Sequence, residues 1–260
     1  MLRKVPAITF HFWAVKILST AMGEAASDYL VHTIDPYLAV AMGAIGLAIA
    51  LPIQYFLRRY IAPAYWLAVV MVAVFGTMVA DAVHIEFGIP YAKTTLMCAV
   101  SLAAIFGIWY LIEKTLSIDS ITTRRRELFY WAAVLATFAM GTAIGDYTAY
   151  SIHLGWFVSG LVYTVLFAIP LLARRLLRIN EVFTFWFAYI VTRPLGASYA
   201  DWLGVPAYLG GLNFGRGTVA IVLTFVIIAW VTYLTVTRLD VERPEVGLFG
   251  SGATAGASRP

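Results

Sequence analysis

The chain has 260 residues, of which 62% are hydrophobic and 12% charged, with a formal net charge of +4 and a mean hydropathy of +0.83. Soluble domains carry about a quarter of their residues charged, so this composition excludes an ordinary soluble domain. Cys98 is the only cysteine, which excludes an intrachain disulfide and a thiolate metal cluster.

Apolar stretches of about 20 residues, each long enough to cross a hydrocarbon core, recur along the chain. Eight spans are predicted, at about 8–30, 37–57, 63–85, 93–113, 128–150, 154–173, 182–203 and 217–237. The fold class expected is an all-α integral membrane protein. The opening MLRK resembles the basic start of a leader, but Lys16, Glu24 and Asp28 interrupt the apolar run that a cleavable leader needs. The first stretch is therefore read as a span.

The basic residues sit in alternate loops. Arg3 and Lys4 precede span 1, Arg58 and Arg59 follow span 2, and Lys114 with Arg124, Arg125 and Arg126 follow span 4. Arg174, Arg175 and Arg178 follow span 6, and Arg238 and Arg243 follow span 8, whereas the opposite loops hold only Lys93 and Arg216. The net charge is thus no sign of nucleic-acid binding. By the positive-inside rule both termini are expected in the cytoplasm. The domain reading is repeats 1 and 2 over 1–117, a cytoplasmic linker at 118–127, repeats 3 and 4 over 128–240, and a disordered cytoplasmic tail at 241–260.

An internal repeat runs through the odd-numbered spans. Trp13, Trp66, Trp131 and Trp186 each precede an aspartate by fifteen residues: Asp28, Asp81, Asp146 and Asp201. Ten residues after each tryptophan comes a glycine: Gly23, Gly76, Gly141 and Gly196. The pattern W-x9-G-x4-D, in phase with the hydropathy, implies four tandem two-helix units of equal orientation, which are parallel rather than inverted repeats. On these motifs the sequence resembles the bacterial multi-pass membrane proteins built from four tandem two-helix repeats with a characteristic tryptophan, a repeat of unknown function. The resemblance covers about residues 8–238. It implies the eight-helix architecture and carries no established activity.

At 100° per residue, each tryptophan and the positions seven, eleven and fifteen residues later share one helix face. In span 1 that stripe contains Lys16, Thr20, Glu24 and Asp28. The equivalent stripes are Val69, Ala73, Thr77 and Asp81 in span 3, and Val134, Phe138, Thr142 and Asp146 in span 5. In span 7 the stripe is Tyr189, Arg193, Ala197 and Asp201. Each glycine also pairs at i+4 with a small residue: Ser27, Ala80, Gly145 and Ala200. Such small-xxx-small spacing lets helices approach closely, so the odd spans are expected to form an inner bundle within a ring of even spans. Fifteen residues rise roughly 22 Å, placing the tryptophans near the cytoplasmic interface and the aspartates in the outer half.

Charged groups inside a membrane mark functional sites by default, and four carboxylates on one face repel unless something compensates them. The compensators on offer are protons, a cation, water, Lys16 and Arg193. Arg193 is the expected partner of Glu24 across the bundle, and Lys16 is expected to pair or to snorkel. The cation or substrate site is assigned to Asp28, Asp81, Asp146, Asp201, Glu24, Thr77 and Thr142, with the four aspartates as metal ligands. His32 and His84, one turn beyond Asp28 and Asp81, are candidates to extend it; His11 and His153 carry less weight.

Carboxylate oxygens without thiolates suit hard cations such as Mg²⁺, Mn²⁺ or Ca²⁺. The leading expectation is a secondary transporter or channel for a small cation, divalent metals included, with exchange for protons as the coupling. Two alternatives stay open: transport of a small organic solute, and a non-transporting membrane scaffold. No nucleophile elbow, H-E-x-x-H or P-loop is present, so no enzyme and no cofactor are expected. The partners expected are the lipid bilayer and a small cation or solute, with no nucleic acid.

Overall fold

A computed structural model describes residues 3–177 and 180–241, with side chains throughout save at 83, 85–87, 171 and 173–177. The tail 242–260, with Arg243, and the basic side chains at 174, 175 and 178 lie outside the described residues.

The described residues form long helices and no strand. They are α1 (Phe10–Thr33), α2 (Pro36–Phe56), α3 (Ala62–Phe87), α4 (Tyr91–Glu113), α5 (Arg124–Asp146), α6 (Gly155–Leu177), α7 (Glu181–Gly204) and α8 (Arg216–Thr237). Local chemistry places their ends. Asp35 accepts from Leu38 N at 3.0 Å with Pro36 in the first turn of α2, and Asn180 caps Val182 N at 2.9 Å and Phe183 N at 3.1 Å in α7. Thr123 accepts from Arg126 N at 3.3 Å, so α5 begins inside the stretch 118–127 expected to link the halves. A single π-helical turn, Tyr147–Ser151, follows Asp146.

Among the described residues, five helices are long and apolar enough to cross a membrane: α2, α3 over Ala62–Ala82, α4, α5 with its π turn, and α8. In α1 the apolar run is broken by Lys16, Glu24 and Asp28, and in α7 by Arg193 and Asp201; of these residues all but Asp28 are buried. The even helices instead expose apolar side chains. Ile45, Ile49 and Ile53 on α2, Leu161 and Val165 on α6, and Ile221 and Phe225 on α8 all lie open. Contiguous apolar exposure on this scale suits a lipid-facing surface.

The helices interlock by one rule applied four times. α1 packs on α3, α3 on α5, α5 on α7 and α7 on α1, closing a ring. The even helix of each unit packs against the odd helix of the next: α2 on α3, α4 on α5, α6 on α7, and α8 back on α1. The glycines obey the same rule. A Cβ on Gly23 would overlap Ala73, one on Gly76 would meet Phe138, one on Gly141 would overlap Arg193, and one on Gly196 would overlap Thr20. In each case the obstacle is the residue seven after the next unit's tryptophan. The absent side chain is what lets neighbouring backbones close up.

Gly141→Ala and Gly196→Ala are each expected to destabilise the protein by about 1–3 kcal/mol through overpacking. Gly145→Ala should be nearly neutral, because its Cβ would lie 3.6 Å from Pro194, an ordinary contact. Thermal unfolding in detergent would rank the three; equal melting points would show that the glycines are not set by close approach.

The segment before α1 tucks under the bundle. Lys4 is buried, with its Nζ against Glu127 and 2.9 Å from the Tyr55 carbonyl, while Gln54 Nε2 donates to the Lys4 carbonyl at 3.2 Å. Tyr60 N donates to Arg3 O at 3.0 Å, and Ala7 N to Asp240 O at 2.8 Å. Tyr60 also donates its hydroxyl to Asp240, and burial first, then this bond, push the phenol pKa up.

Candidate functional site

The face shared by the repeat becomes a stack of layers, each receiving one residue from α1, α3, α5 and α7. The layer nearest the helix N-termini is aromatic. The residue before each tryptophan is Phe12, Tyr65, Tyr130 or Phe185, and all four are buried. Each ring packs on the next unit's tryptophan: Phe12 on Trp66 at 5.9 Å, Tyr65 on Trp131 at 5.6 Å, Tyr130 on Trp186 at 6.2 Å, and Phe185 on Trp13 at 5.7 Å. Tyr65 and Tyr130 share a hydrogen bond of 2.5 Å across the ring. The [FY]-W dipeptide was there to be read in the sequence. Aromatic residues abound in this chain, so the dipeptide by itself does not mark a layer.

The middle of the stack belongs to Arg193, which is fully buried. Its Nη2 shares two protons among three acceptors, Glu24 Oε2 at 2.5 Å, Thr142 Oγ1 at 2.7 Å and Thr77 Oγ1, and its Nη1 donates to the Thr20 carbonyl at 3.3 Å. One guanidinium on α7 thus ties together α1, α3 and α5. The threonines can accept because each gives its own proton back along its helix, Thr77 to Ala73 O at 3.0 Å and Thr142 to Phe138 O at 3.2 Å. The structure brings these two residues, assigned from sequence to a cation, against Arg193: their position equivalent to Glu24 puts them within reach of the guanidinium. Pro194 lies next in α7 and cannot donate to the helix ladder. Across the same interface Thr20 Oγ1 donates to the Thr192 carbonyl at 3.0 Å.

Lys16 lies one turn toward the aromatic layer and is 1% exposed. The pairing expected of it is not present. Among the described residues its Nζ has no hydrogen-bond partner, and it sits 3.9 Å from the centre of the Phe138 ring and 4.2 Å from that of Tyr189. The sequence places it two turns from Glu24 on its own helix, and Glu24 is taken by Arg193.

The aspartates form the layer beyond Arg193, and the structure makes them unequal. Oxygens of Glu24, Asp146 and Asp201 all lie within 4.8 Å of one another, a spacing that suits one bound cation. Asp201 is 5% exposed, and its carboxylate makes no hydrogen bond or salt bridge among the described residues. Asp146 and Asp81 are half-buried. Asp28 is neutralised by Arg216 at 2.9 Å, from the first turn of α8. Neither histidine extends the site through its Nδ1. His32 Nδ1 lies 2.7 Å from the Asp28 backbone carbonyl, and His84 Nδ1 lies 2.6 Å from Ile89 O with its ring stacked on Tyr91 at 3.7 Å.

A family model for a Repeat of Unknown Function, DUF347, matches residues 11–60, 64–115, 129–180 and 184–240. The chain belongs to the DUF347 repeat family. Each DUF347 copy begins two residues before its tryptophan, so the family repeat and the W-x9-G-x4-D unit coincide in phase. Comparison with curated proteins and with solved structures found no match.

Proposed function

We propose that this DUF347 protein is an eight-span protein of the bacterial cytoplasmic membrane that moves a small cation by secondary transport, and that it is not an enzyme. The observation that carries the reading is the convergence of Glu24, Asp146 and Asp201 oxygens within 4.8 Å. Carboxylates clustered inside a membrane bundle need a compensating charge, and a hard divalent cation such as Mg²⁺ or Mn²⁺ is the cargo that such oxygens favour. In this reading α1, α3, α5 and α7 are the inner bundle, the even helices face lipid, and the two halves 1–117 and 128–240 meet around the site.

A transporter is favoured over a channel by the axis itself. Arg193 occupies its middle and four aromatic rings fill its other end, so a continuous cation path would have to pass a fixed positive charge and a buried aromatic layer. The site belongs to the aspartate end, which the loop charges put outside. Single cysteines introduced into a Cys98→Ala background test that orientation: one at Lys93 should label from outside intact cells, and one at Arg125 should not. The reverse pattern would invert the topology.

Purified protein in liposomes, loaded with a metal-sensitive and a pH-sensitive dye, tests the function. Uptake of Mg²⁺ or Mn²⁺ with opposed proton flow is expected. Liposomes that move neither metal above the protein-free rate would end the cation reading.

A further inference from the structure

We propose that the Lys16 amine is the proton-carrying site of this protein, taking up and releasing one proton in counterpoint to a cation at the carboxylates. The inference rests on the cation reading for its partner, but on its own observations for the proton.

Those observations are the burial of Lys16, the missing acceptor and its place in the stack. An ammonium ordinarily spends three N–H donors on acceptors, yet Lys16 Nζ finds none among the described residues. What it has are two ring faces, Phe138 and Tyr189, which stabilise an ammonium by cation–π attraction and tolerate a free amine as an apolar contact. Both protonation states therefore fit the same packing without a stranded counter-ion. A lysine fixed in a structural salt bridge would not have this freedom.

The groups around it define its electrostatics. α7 presents Tyr189 and Arg193, whose guanidinium carbon lies 5.5 Å from the same Phe138 ring. Tyr65 comes from α3, Tyr130 from α5, and Glu24 lies two turns along α1 itself. From α8, Tyr233 lies beside His11 rather than Lys16, and α2 carries its ionisable residues, Tyr37 and Tyr55, near its two ends. Eight helical residues separate Lys16 from Glu24, roughly 12 Å. At that separation and an effective dielectric of about 20, each unit of cargo charge would alter proton occupancy by about tenfold. A divalent cation would so favour loss of the Lys16 proton to bulk water in a conformation that opens Lys16, 1% exposed here, to solvent, and the cation's departure would let a proton return. The ammonium loses H⁺ and the amine regains it, so one proton is exchanged per cycle at this site.

The test uses full-length protein in detergent with ¹⁵N-lysine. Lys4, Lys16, Lys93 and Lys114 are the lysines of the chain, and Lys16→Arg assigns the Lys16 Nζ signal by its loss. Without metal, that signal is expected to pass from the ammonium to the amine position as the pH is raised across the range in which the protein stays folded. An ammonium signal persisting throughout that range would overturn the proposal. With saturating Mg²⁺ the midpoint should fall by about one to two pH units. Binding of Mg²⁺ by calorimetry with no movement of the midpoint would also overturn it. Absence of Mg²⁺ binding would instead count against the cation reading, while the metal-free titration decides the proton site. In liposomes, Lys16→Met should still bind Mg²⁺, lose the pH dependence of Mg²⁺ affinity that the Lys16 proton imposes, and lose proton counterflow; retained counterflow would refute the assignment.

Discussion

Arg193→Met is expected to be the most damaging single substitution in the bundle. Glu24 is buried, and Arg193 is its ion-pair partner. Removing one partner of a buried pair typically costs about 3–5 kcal/mol, because the other charge is left without compensation. The loss should fall mainly on Glu24, since Thr77 and Thr142 keep their bonds to Ala73 and Phe138. Adding Glu24→Gln to Arg193→Met should therefore restore a large part of the stability. Arg193→Lys should not rescue, because an ammonium lacks the planar fork that reaches α1, α3 and α5 together. Denaturant unfolding in detergent gives the cycle directly. Additive single effects would show that Arg193 and Glu24 are not coupled, whatever their distance.

The second large effect is on transport. Asp201→Asn and Asp146→Asn are expected to reduce cation uptake at least tenfold, equivalent to about 1.4 kcal/mol of lost affinity, with the fold intact. Asparagine keeps the shape and one carbonyl oxygen but cannot neutralise a cation. Asp28→Asn should have a smaller effect on uptake, since Arg216 already compensates that carboxylate. Asp81→Asn should fall between, as Asp81 lies outside the group of oxygens within 4.8 Å. A scaffold would behave oppositely, with asparagine harmless and leucine disruptive at all four positions. Uptake unchanged in both Asp146→Asn and Asp201→Asn would remove the carboxylates from the mechanism.

What the sequence determined by itself was everything that depends on spacing along one helix. A rotation of 100° per residue places Lys16, Thr20, Glu24 and Asp28 on one face whatever that face meets, so the stripe, its four copies and the small residues beside it were all legible. Hydropathy likewise marked the helices to within a few residues. Arg124–Glu127 has the composition of a charged loop, yet α5 begins at Arg124, four residues before the predicted span, because Thr123 caps it and Glu127 meets Lys4.

The tertiary structure decided who meets whom. The repeat treats Asp28, Asp81, Asp146 and Asp201 as equals, and only packing tells that α8 brings Arg216 to the first of them. Thr77 and Thr142 carry oxygens suited to a cation or to a guanidinium alike, and it took the approach of α7 against Gly141 to deliver Arg193 to them. Lys16 could have paired with any acid in reach. Its lack of a hydrogen-bond partner among the described residues follows from a competition that one-dimensional spacing does not contain, since Arg193 reaches Glu24 from the neighbouring α7 while Lys16 lies two turns away on Glu24's own helix, against two aromatic faces.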